Sequence, residues 1–352
     1  MSANTDHAGR IGFFMETSFH FEVYRSIIFA LLEENRPCEL LINDLIEEAF
    51  VNDMTSYLAT LSVPGLGCRL LSGALNTGRR YGCLVSPYYV PGLDALSDNA
   101  VRTVYGLAKN DWNHAAWNAR YRHILCYSRY TQRALALGEK AKVVGNPRFD
   151  DWHNRRYPAE LPAHLDGAGG KPVLLYAPTY GELSSLPHWA EKLSRLGSEY
   201  HIITKLHHGT LYRPGERASL KLARRFLKRS VQPGDSVFTL LAHADYVISD
   251  NSGFIFDAIN ADKKVILLEW DGMETLLSGN RSFSNPDSPE QQVRQFLPVA
   301  RDMADLRACL SDDWPWETHA ARLQEIKTDY CDAFNDGSAG RRAAEVIMQS
   351  MA

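Results

Sequence analysis

Cysteine and paired metal ligands are scarce in this sequence of 352 residues. It has six cysteines, all far apart, and no two of them form a C-x-x-C pair. The 12 histidines are scattered, and no two lie four residues apart, as helical metal ligands would. We therefore expect neither a disulfide framework nor a zinc site, and we predict no metal and no cofactor. We expect the cysteines to be buried, reduced thiols of a cytoplasmic protein.

An excess of positive charge and long apolar runs are absent as well. The formal net charge is −4, which gives no general attraction for nucleic acid, so no nucleic-acid partner is predicted. No stretch approaches the roughly 18–20 apolar residues that a membrane span needs. Residues 1–10 are polar and lack the apolar region of a signal peptide. We therefore expect a cytoplasmic protein.

The sequence does contain the alternation of strands and helices that is typical of a parallel α/β protein. Its length suits two domains of ordinary size. Residues 10–15 are predicted as a strand, 23–34 as a helix and 39–43 as a second strand, which is the βαβ pattern of a parallel sheet. Further elements of the first half are predicted as strands over 68–71, 81–85, 101–106, 124–127 and 142–147 and a helix over 129–137.

Residues 151–171 interrupt this alternation, because they are polar and rich in proline and glycine. Beyond them we predict strands over 172–178, 200–206, 236–241, 246–248 and 263–270, and helices over 186–196, 217–228, 303–310, 319–334 and 341–351. The predicted organisation is an N-terminal Rossmann-like acceptor domain (1–150), an interdomain region (151–171), a C-terminal Rossmann-like nucleotide-donor domain (172–325) and terminal helices (326–352). A return of the terminal helices to the first domain is one option.

The stretch from Tyr246 to Asp257 is the clearest candidate for a binding site. Its first residues are apolar and β-branched, as in a buried strand, and Ser249 to Gly253 are turn and helix-cap residues. A strand that enters a helix through small residues exposes backbone N–H groups to an anion such as a phosphate. The alternative is an ordinary connection with a well-capped helix.

Several polar loops follow the predicted strands, so we expect them to converge on one edge of the sheet. They are 179–182, 205–209, 249–253 and 269–272. Lys205 or His207 could neutralise the charge on a leaving phosphate, and Asp257 could accept hydrogen bonds from ribose hydroxyls. The alternatives are solvated loop histidines for His207 and His208 and a helix-surface acid for Asp257.

His20 follows the first predicted strand of the other half. This placement suits a general base or an acceptor-binding group. An exposed or structural histidine is the alternative.

Four motifs, three in the second half and one just before it, occur in an order and spacing that resemble a known family. They are Gly-Asn-Pro-Arg-Phe-Asp (145–150), Ala-Pro-Thr-Tyr (177–180), Thr-Lys-Leu-His (204–207) and Ser-Asp-Asn-Ser-Gly-Phe-Ile-Phe-Asp (249–257). Together they resemble the CDP-glycerol glycerophosphotransferase family of teichoic-acid and capsule polymerases. The resemblance implies a GT-B-like α/β fold, with two Rossmann-like domains whose parallel sheets face each other across a cleft.

The resemblance also implies a set of site residues. His207 and the loop of Ser252 and Gly253 would hold the pyrophosphate of the donor, and Asp257, Asp271 and Arg281 would line or support the same site. Thr179 and Asn251 lie inside the matched motifs and are predicted as binding residues with them. His20, His207 and Lys205 are the candidate catalytic residues.

The sequence departs from the family pattern at three places. Tyr105-Gly106 stands where the family usually carries a His-Gly pair, whose histidine is the expected base, and a neutral tyrosine is a poor base at neutral pH. The usual Lys-x-His-Pro is Lys-Leu-His-His here, and the usual Ser-Ser is Ser252-Gly253, a form shared with the UDP-GlcNAc 2-epimerase group. His20 could take over the base role, or the donor and the reaction differ.

The leading hypothesis is a transferase that uses a nucleotide-diphosphate-activated donor, CDP-glycerol or a CDP-polyol. It would move a glycerophosphate-type group to a hydroxyl acceptor in cell-surface polymer or glycoconjugate synthesis. The alternatives are a GT-B glycosyltransferase or 2-epimerase that acts on a nucleotide sugar, and a nucleotide-binding protein without catalytic activity. For the basic helix 217–228, contact with the inner face of a membrane and a solvated surface are both open, as is oligomer formation.

Overall fold

The computed structural model describes residues 9–279 and 284–352, and they form two compact units. Unit 1 comprises the described residues up to Tyr105, residues 114–156 and residues 328–352. Unit 2 comprises residues 106–113 and 157–327. The short segment 106–113 therefore belongs to unit 2, although unit 1 flanks it in sequence on both sides, and nothing in the sequence predicted this assignment.

Both units are built on parallel sheets. The strands are β1 Ile11–Met15, β2 Cys38–Ile42, β3 Leu66–Leu70, β4 Cys83–Ser86, β5 Ala100–Thr103, β6 His123–Cys126, β7 Ala141–Val143, β8 Val173–Ala177, β9 His201–Thr204, β10 Tyr246–Ser249, β11 Lys264–Leu268 and β12 Val299–Ala300. The helices are α1 Ser18–Glu33, α2 Glu48–Ala59, α3 Leu71–Asn76, α4 Asn110–Asn113, α5 Arg129–Leu135, α6 Asp150–His153, α7 Leu186–Ser194, α8 His208–Tyr212, α9 Arg217–Phe226, α10 Val237–His243, α11 Phe254–Asn260, α12 Met273–Ser278, α13 Pro289–Gln292, α14 Met303–Cys309, α15 Ala320–Ile326 and α16 Ala339–Met351.

The strand orders place the carboxyl ends of the strands at one edge of each sheet. Unit 1 has the order β3-β2-β1-β4-β5-β6-β7, and unit 2 has the order β12-β11-β10-β8-β9. All described strand pairs are parallel. The predicted α/β class with two parallel sheets is confirmed.

Each sheet buries its apolar strands beneath helices. In unit 1, β1 is buried along its whole length, and α1 and α16 pack on one face of the sheet. The hydroxyl of Tyr24 in α1 donates to the carbonyl of Phe14 at 2.6 Å. In unit 2, Trp189 of α7 is fully buried, and its indole N–H donates to the carbonyl of Glu269 at 2.8 Å. Burial on both faces explains why these strands read as continuous apolar runs.

Two predicted elements differ from the structure. Residues 236–241 were expected to form a strand, but Val237–His243 is helix α10, because Ser236 caps it by accepting a hydrogen bond from the Thr239 N–H at 3.3 Å. The single helix predicted over 319–334 is instead α15, which ends at Ile326, followed by one π-helical turn over Lys327–Cys331. The chain passes from unit 2 to unit 1 within that turn.

Helix α16 is anchored in unit 1 by a buried carboxylate. Asp150 accepts hydrogen bonds from the backbone N–H groups of Ala339 at 2.9 Å and Gly340 at 2.7 Å, at the first turn of α16. Burial raises the pKa of Asp150 to about 6. Within the described ranges, no helix has the length and apolar content that crossing a bilayer requires.

Glycine at position 340 is needed for the close packing of α16 on α1. A Cβ atom there would lie 2.5 Å from the Ser26 hydroxyl oxygen and 2.6 Å from the Ser26 backbone carbon, so the backbones would have to move apart. We expect Gly340→Ala to lower the free energy of unfolding by about 1–3 kcal/mol, the usual cost of overpacking. Urea unfolding, followed through a signal that reports on unit 1, measures this change.

The matched control is Gly73→Ala, because Gly73 lies inside α3 and a Cβ atom there would meet nothing within 4 Å. Alanine favours helix over glycine, so this variant should be unchanged or more stable by up to about 1 kcal/mol. Equal effects of the two substitutions would contradict the packing argument.

Candidate functional site

The candidate site of unit 2 lies where the strand order changes direction. From β8 the chain continues to β9 on one side, whereas β10 and β11 lie on the other side. The loops after β8 and β10 therefore diverge at the carboxyl edge, which leaves the crevice where open α/β sheets bind ligands. The sequence motifs around Thr179 and Asn251 are these two loops.

A buried carboxylate, Asp250, ties the two loops together. Its Oδ1 accepts hydrogen bonds from the backbone N–H groups of Thr179 at 2.8 Å and Asn251 at 2.7 Å. Its Oδ2 accepts from the Ser185 N–H and hydroxyl, both at 2.7 Å. Burial raises the pKa of Asp250, and these hydrogen bonds act in the opposite direction. Asp250 thus fixes the relative positions of three segments: the loop after β8, the start of α7 and the loop after β10.

The side chain of Asn251 is engaged within the protein. Its amide nitrogen donates to the carbonyl of Leu183 at 2.9 Å, and its amide oxygen accepts from Gln291 at 2.6 Å and from Arg294 at 3.0 Å. Arg294 also donates to the carbonyl of Asp250 at 2.7 Å. Asn251 was predicted as a binding residue, and that role stays a prediction; the geometry gives its side chain a part in shaping the loop.

Ser252 and Gly253 lead directly into α11. The Ser252 hydroxyl oxygen accepts a hydrogen bond from the Phe254 N–H at 3.2 Å, and the residue is 8% exposed. Gly253 faces the segment 106–113, because a Cβ atom on it would lie 3.7 Å from the Cβ of Ala108. Helix α11 has only seven residues, so its dipole is small, and nearby cationic side chains would add to its attraction for an anion.

His207 caps α8 through its own ring. Its Nδ1 accepts a hydrogen bond from the Gly209 N–H at 3.0 Å, which places the proton of the neutral imidazole on Nε2. The ring stacks on Tyr180, with centroids 4.4 Å apart. Gly209 allows this stacking, since a Cβ atom there would lie 2.6 Å from the Tyr180 ring. His207 therefore offers an N–H donor with a fixed orientation.

Three cations lie close enough to this imidazole to act on it electrostatically. The ammonium of Lys109 lies 4.4 Å from the Tyr180 ring centroid, and the guanidinium of Arg213 lies 5.1 Å from it. The ammonium of Lys205 lies 5.2 Å from the Phe254 ring, beside the Ser252 loop. We call Lys109, Lys205 and Arg213, with His207 between them, the cationic cluster.

Burial, together with the nearby cations, keeps His207 neutral. Burial lowers the pKa of His207 well below its ordinary value, and the nearby charges of His208, Lys109, Lys205 and Arg213 lower it further. The site thus combines fixed positive charge from lysine and arginine with an uncharged N–H donor. Phosphate and pyrophosphate groups, which are acceptors only and carry negative charge, match this combination.

Lys109 and Arg213 were missing from the sequence-based site. Lys109 has a backbone φ of +63°, and its N–H donates to the buried Glu290 carboxylate at 3.2 Å. Asn285 donates to Asp111 at 2.8 Å in the same segment. Helix α13 and the residues before it thereby hold the 106–113 segment in place. No sequence pattern indicated Lys109, since it lies far from the donor-site motifs along the chain.

The remaining predicted residues of unit 2 have less defined surroundings. Thr179 is buried, and its N–H is bound by Asp250. Asp257 is half-buried in the first turn of α11, and Asp271 is exposed and near enough to His188 to affect its pKa. Arg281 lies outside the described residues. Their binding roles stay predictions.

A cavity of about 370 Å³ in unit 2 lies away from this site. It is lined by Pro172 and by residues 244–246 and 262–264, at the amino ends of β8, β10 and β11. The cationic cluster is at the carboxyl ends, so the cavity belongs to the opposite edge of the sheet.

In unit 1, His20 lies beneath a group of aromatic residues. It is 3% exposed, and its ring packs edge-on against Tyr88 at 5.7 Å and Tyr105 at 5.8 Å between centroids. Its Nδ1 accepts a hydrogen bond from the Glu16 N–H at 3.1 Å, so the proton is again on Nε2. The base role of His20 stays a prediction, and this geometry favours a neutral hydrogen-bond donor.

The burial of His20 generates a test by pH. Burial lowers the pKa of His20 to about 3, whereas an unfolded histidine takes up a proton near pH 6.5. The unfolded chain therefore binds the proton more tightly, and the stability from His20 is lost as pH falls from 6.5 toward 3. We expect His20 to lower the free energy of unfolding of unit 1 by about 2 kcal/mol when the pH falls from 7 to 5.

Urea unfolding of the natural protein and of His20→Gln at pH 7, 6 and 5 measures this effect. The difference in unfolding free energy between them should shift by about 2 kcal/mol in favour of the variant at pH 5. A difference that is constant over this range would show that His20 can be protonated within the fold.

Comparison with solved structures finds the same architecture. The wall teichoic acid polymerase TagF is 16% identical, with 98% of this chain and 89% of that chain covered and a TM-score of 0.68. A UDP co-structure of MnaA from S. aureus is 12% identical, with 97% and 96% covered and a TM-score of 0.59. A UDP-N-acetylglucosamine 2-epimerase described from Listeria monocytogenes is 11% identical, with 95% and 94% covered and a TM-score of 0.60. These likenesses confirm the predicted GT-B-like fold class.

Sequence comparison confirms the resemblance that the four motifs indicated. No protein with a curated description matched the sequence. A family model described as CDP-glycerol:poly(glycerophosphate) glycerophosphotransferase matches residues 92–349. This match includes the loops that carry the cationic cluster, and it extends over most of the chain. The chain therefore belongs to the CDP-glycerol:poly(glycerophosphate) glycerophosphotransferase family.

Proposed function

We propose that this protein transfers a glycerophosphate group from CDP-glycerol to a hydroxyl acceptor, with the pyrophosphate of the donor bound at the cationic cluster of unit 2. Family membership supports the donor and the reaction type. The observation that carries the placement is the neutral imidazole of His207, which lies among Lys109, Lys205 and Arg213 at the carboxyl edge of the sheet.

The reaction requires stabilisation of a leaving phosphate. The acceptor oxygen forms a bond to the phosphorus of the glycerophosphate group, and the bond from that phosphorus to the bridging oxygen breaks, which releases CMP. The acceptor gives up its proton to a base or to solvent. Negative charge accumulates on the phosphate of CMP, and fixed cations next to it lower the barrier.

Within this proposal the four residues of the cluster have distinct parts. Lys109, Lys205 and Arg213 supply the positive charge, and His207 donates its Nε2–H to a phosphate oxygen. Asp250 is a positioning residue, since it holds the loop of Thr179 against the loop of Asn251. Ser252 and Gly253 are small residues, so the backbone beside the cluster leaves room for the donor to approach.

In unit 1, the proposal assigns the acceptor to the aromatic group around His20. Tyr88 and Tyr105 are half-buried, and the Tyr88 hydroxyl donates to the Glu16 carboxylate. Asn43 donates to the same carboxylate at 2.7 Å. His20 supports the two tyrosine rings from beneath, and Tyr105 occupies the position where the family pattern has a histidine. Hydroxyl groups and a carboxylate are suitable partners for a polyol.

Three further sequence-based expectations stay predictions, because nothing tests them. They are the absence of a cofactor, oligomer formation and contact with the inner face of a membrane. Among the described residues, no group of three histidine, cysteine, aspartate or glutamate side chains is arranged to hold a metal ion.

Removing one cation should weaken use of the donor. We expect Lys109→Ala to lower kcat/KM for CDP-glycerol by about 10- to 100-fold, because one charge that faces the pyrophosphate is lost. The matched control is Lys192→Ala, which removes a lysine held 4.7 Å from an aromatic ring, that of Trp189, elsewhere in unit 2. Release of CMP measures turnover.

The same assay separates the competing functions. Release of a uridine nucleotide from UDP-GlcNAc, or its epimerisation, without turnover of CDP-glycerol would favour the nucleotide-sugar alternative. Binding of CDP-glycerol without turnover of any donor, with acceptors of several lengths, would favour a non-catalytic protein. An equal loss in Lys109→Ala and Lys192→Ala would argue against the cationic cluster as the donor site.

The neutral state of His207 predicts how its variants behave. Glutamine can retain an N–H donor near the position of Nε2, so His207→Gln should keep more activity than His207→Ala, for which we expect a loss of about 100-fold. Because the pKa of His207 is already well below 6.5, the variants should not remove a step from the activity profile between pH 6 and 8. Loss of a titration near pH 6.5 in His207→Gln would show that the histidine acts as a cation.

A further inference from the structure

Residues 213–229 concentrate positive charge in a chain that is acidic as a whole. This segment has seven lysines and arginines and one acid, Glu216, so its net charge is +6. The whole chain carries −4, which leaves −10 for all other residues. A solvated helix face usually mixes both signs of charge, so this separation calls for a partner.

The cations of this segment lie on one side of α9. Besides Arg213, which precedes the helix, five of them are exposed, namely Arg217, Lys221, Arg224, Arg225 and Lys228. At 3.6 residues per turn, the four of these residues that lie in α9 fall within an arc of about 100°, and Lys228 follows just after the helix ends at Phe226. On the opposite side, Leu220, Ala223 and Phe226 pack into the core of unit 2. We call the five exposed cations the basic stripe.

The basic stripe is not neutralised by the protein itself. In the part of the chain that the structure describes, none of its five side chains forms an ion pair. Lys192 and Arg195 are on α7 and just beyond it, and α7 packs against α9. Glu191 of α7 is paired with Arg195 at 2.8 Å. The charges of the stripe are therefore available to an external anion.

The basic stripe continues from the candidate donor site along the chain. Arg213 belongs to the cationic cluster, and Arg217 follows it by four residues, at the start of α9. Along the helix, Lys221 follows Arg217 by four residues and Arg224 follows Lys221 by three, which is a rise of about 6 Å or less at each step. A row of cations suits a ligand that carries a row of negative charges.

We infer that the basic stripe binds the backbone phosphates of a polyanionic phosphodiester chain, the growing acceptor polymer, along α9. This inference rests on the proposed function, which supplies an acceptor with one phosphate in each repeat. Binding at the stripe is electrostatic and releases counterions, so it is independent of the chemistry at the end of the polymer.

An anionic membrane surface is the competing partner, and the structure favours the polymer. A helix that lies in a membrane interface presents apolar side chains beside its charges. In α9 these side chains face the core of unit 2. The exposed large apolar residues among those described are Leu45, Leu70 and Phe334, all of them in unit 1. The stripe itself offers charge alone.

The test compares two triple charge reversals of the full chain. The first is Arg217→Glu, Lys221→Glu and Arg224→Glu in the stripe. The control is Arg36→Glu, Arg129→Glu and Arg341→Glu, three exposed cations of unit 1 that give the same change in net charge. The probes are a labelled poly(glycerophosphate) of about ten repeats, glycerol 3-phosphate, CDP-glycerol, and vesicles that contain phosphatidylglycerol. Circular dichroism establishes that both variants are folded.

We expect the stripe variant to bind the polymer at least tenfold more weakly at low salt, with a smaller dependence of affinity on salt concentration. The control should stay within about threefold of the natural protein, and CDP-glycerol should bind all three proteins equally. Unchanged polymer binding, or an equal loss in both variants, overturns the inference. Binding of the vesicles that the polymer does not compete away, and that the stripe variant loses, assigns the stripe to a membrane and also overturns it.

Failure of this inference can be distinguished from failure of the proposed function. If the proposed function is wrong, the natural protein does not bind CDP-glycerol, whether or not it binds the polymer. If only the stripe is wrong, CDP-glycerol binds and reacts normally, and the polymer binds both triple variants alike.

Discussion

The buried carboxylate of Asp250 is the interaction on which the site of unit 2 depends. It receives four hydrogen bonds from three different segments, and Arg294 adds a fifth link through the Asp250 carbonyl. A buried charge is tolerated only when its hydrogen bonds are complete. The three segments can therefore adopt this arrangement together or not at all. A loop at the edge of a sheet, which is usually a mobile element, becomes a rigid support for the charges around it.

The two histidines described here are used in the same way. Each accepts a backbone N–H at Nδ1, from Gly209 in one unit and from Glu16 in the other. His20 is buried and His207 is half-buried, and the pKa of each is lowered. Histidine is often a proton carrier at neutral pH, but these surroundings remove that property and leave a directed N–H group. Charge and direction are thus supplied by separate residues, with lysine and arginine for the first and histidine for the second.

Sequence patterns predicted the elements whose causes are local. The apolar runs of β1 and β10, and the turn residues from Ser249 to Gly253, are read from neighbouring positions, and the structure has them there. The strand predicted over 236–241 was wrong because its residues favour both states, and a single serine cap decides for helix. Lys109 was missed because its place depends on Glu290, a residue 181 positions away. A contact of that separation leaves no periodic signal in either stretch.

The assignment of residues 106–113 to unit 2 has a consequence for how this protein can be divided. A recombinant fragment that begins after residue 156 would retain the sheet, Lys205, His207 and Arg213, yet it would lack the lysine beside Tyr180. Glu290 would lose the backbone donor that it now receives. Under the proposed function, such a fragment would be an incomplete donor domain, and chimeras joined at the midpoint of the chain would combine most of unit 2 from one parent with Lys109 from the other.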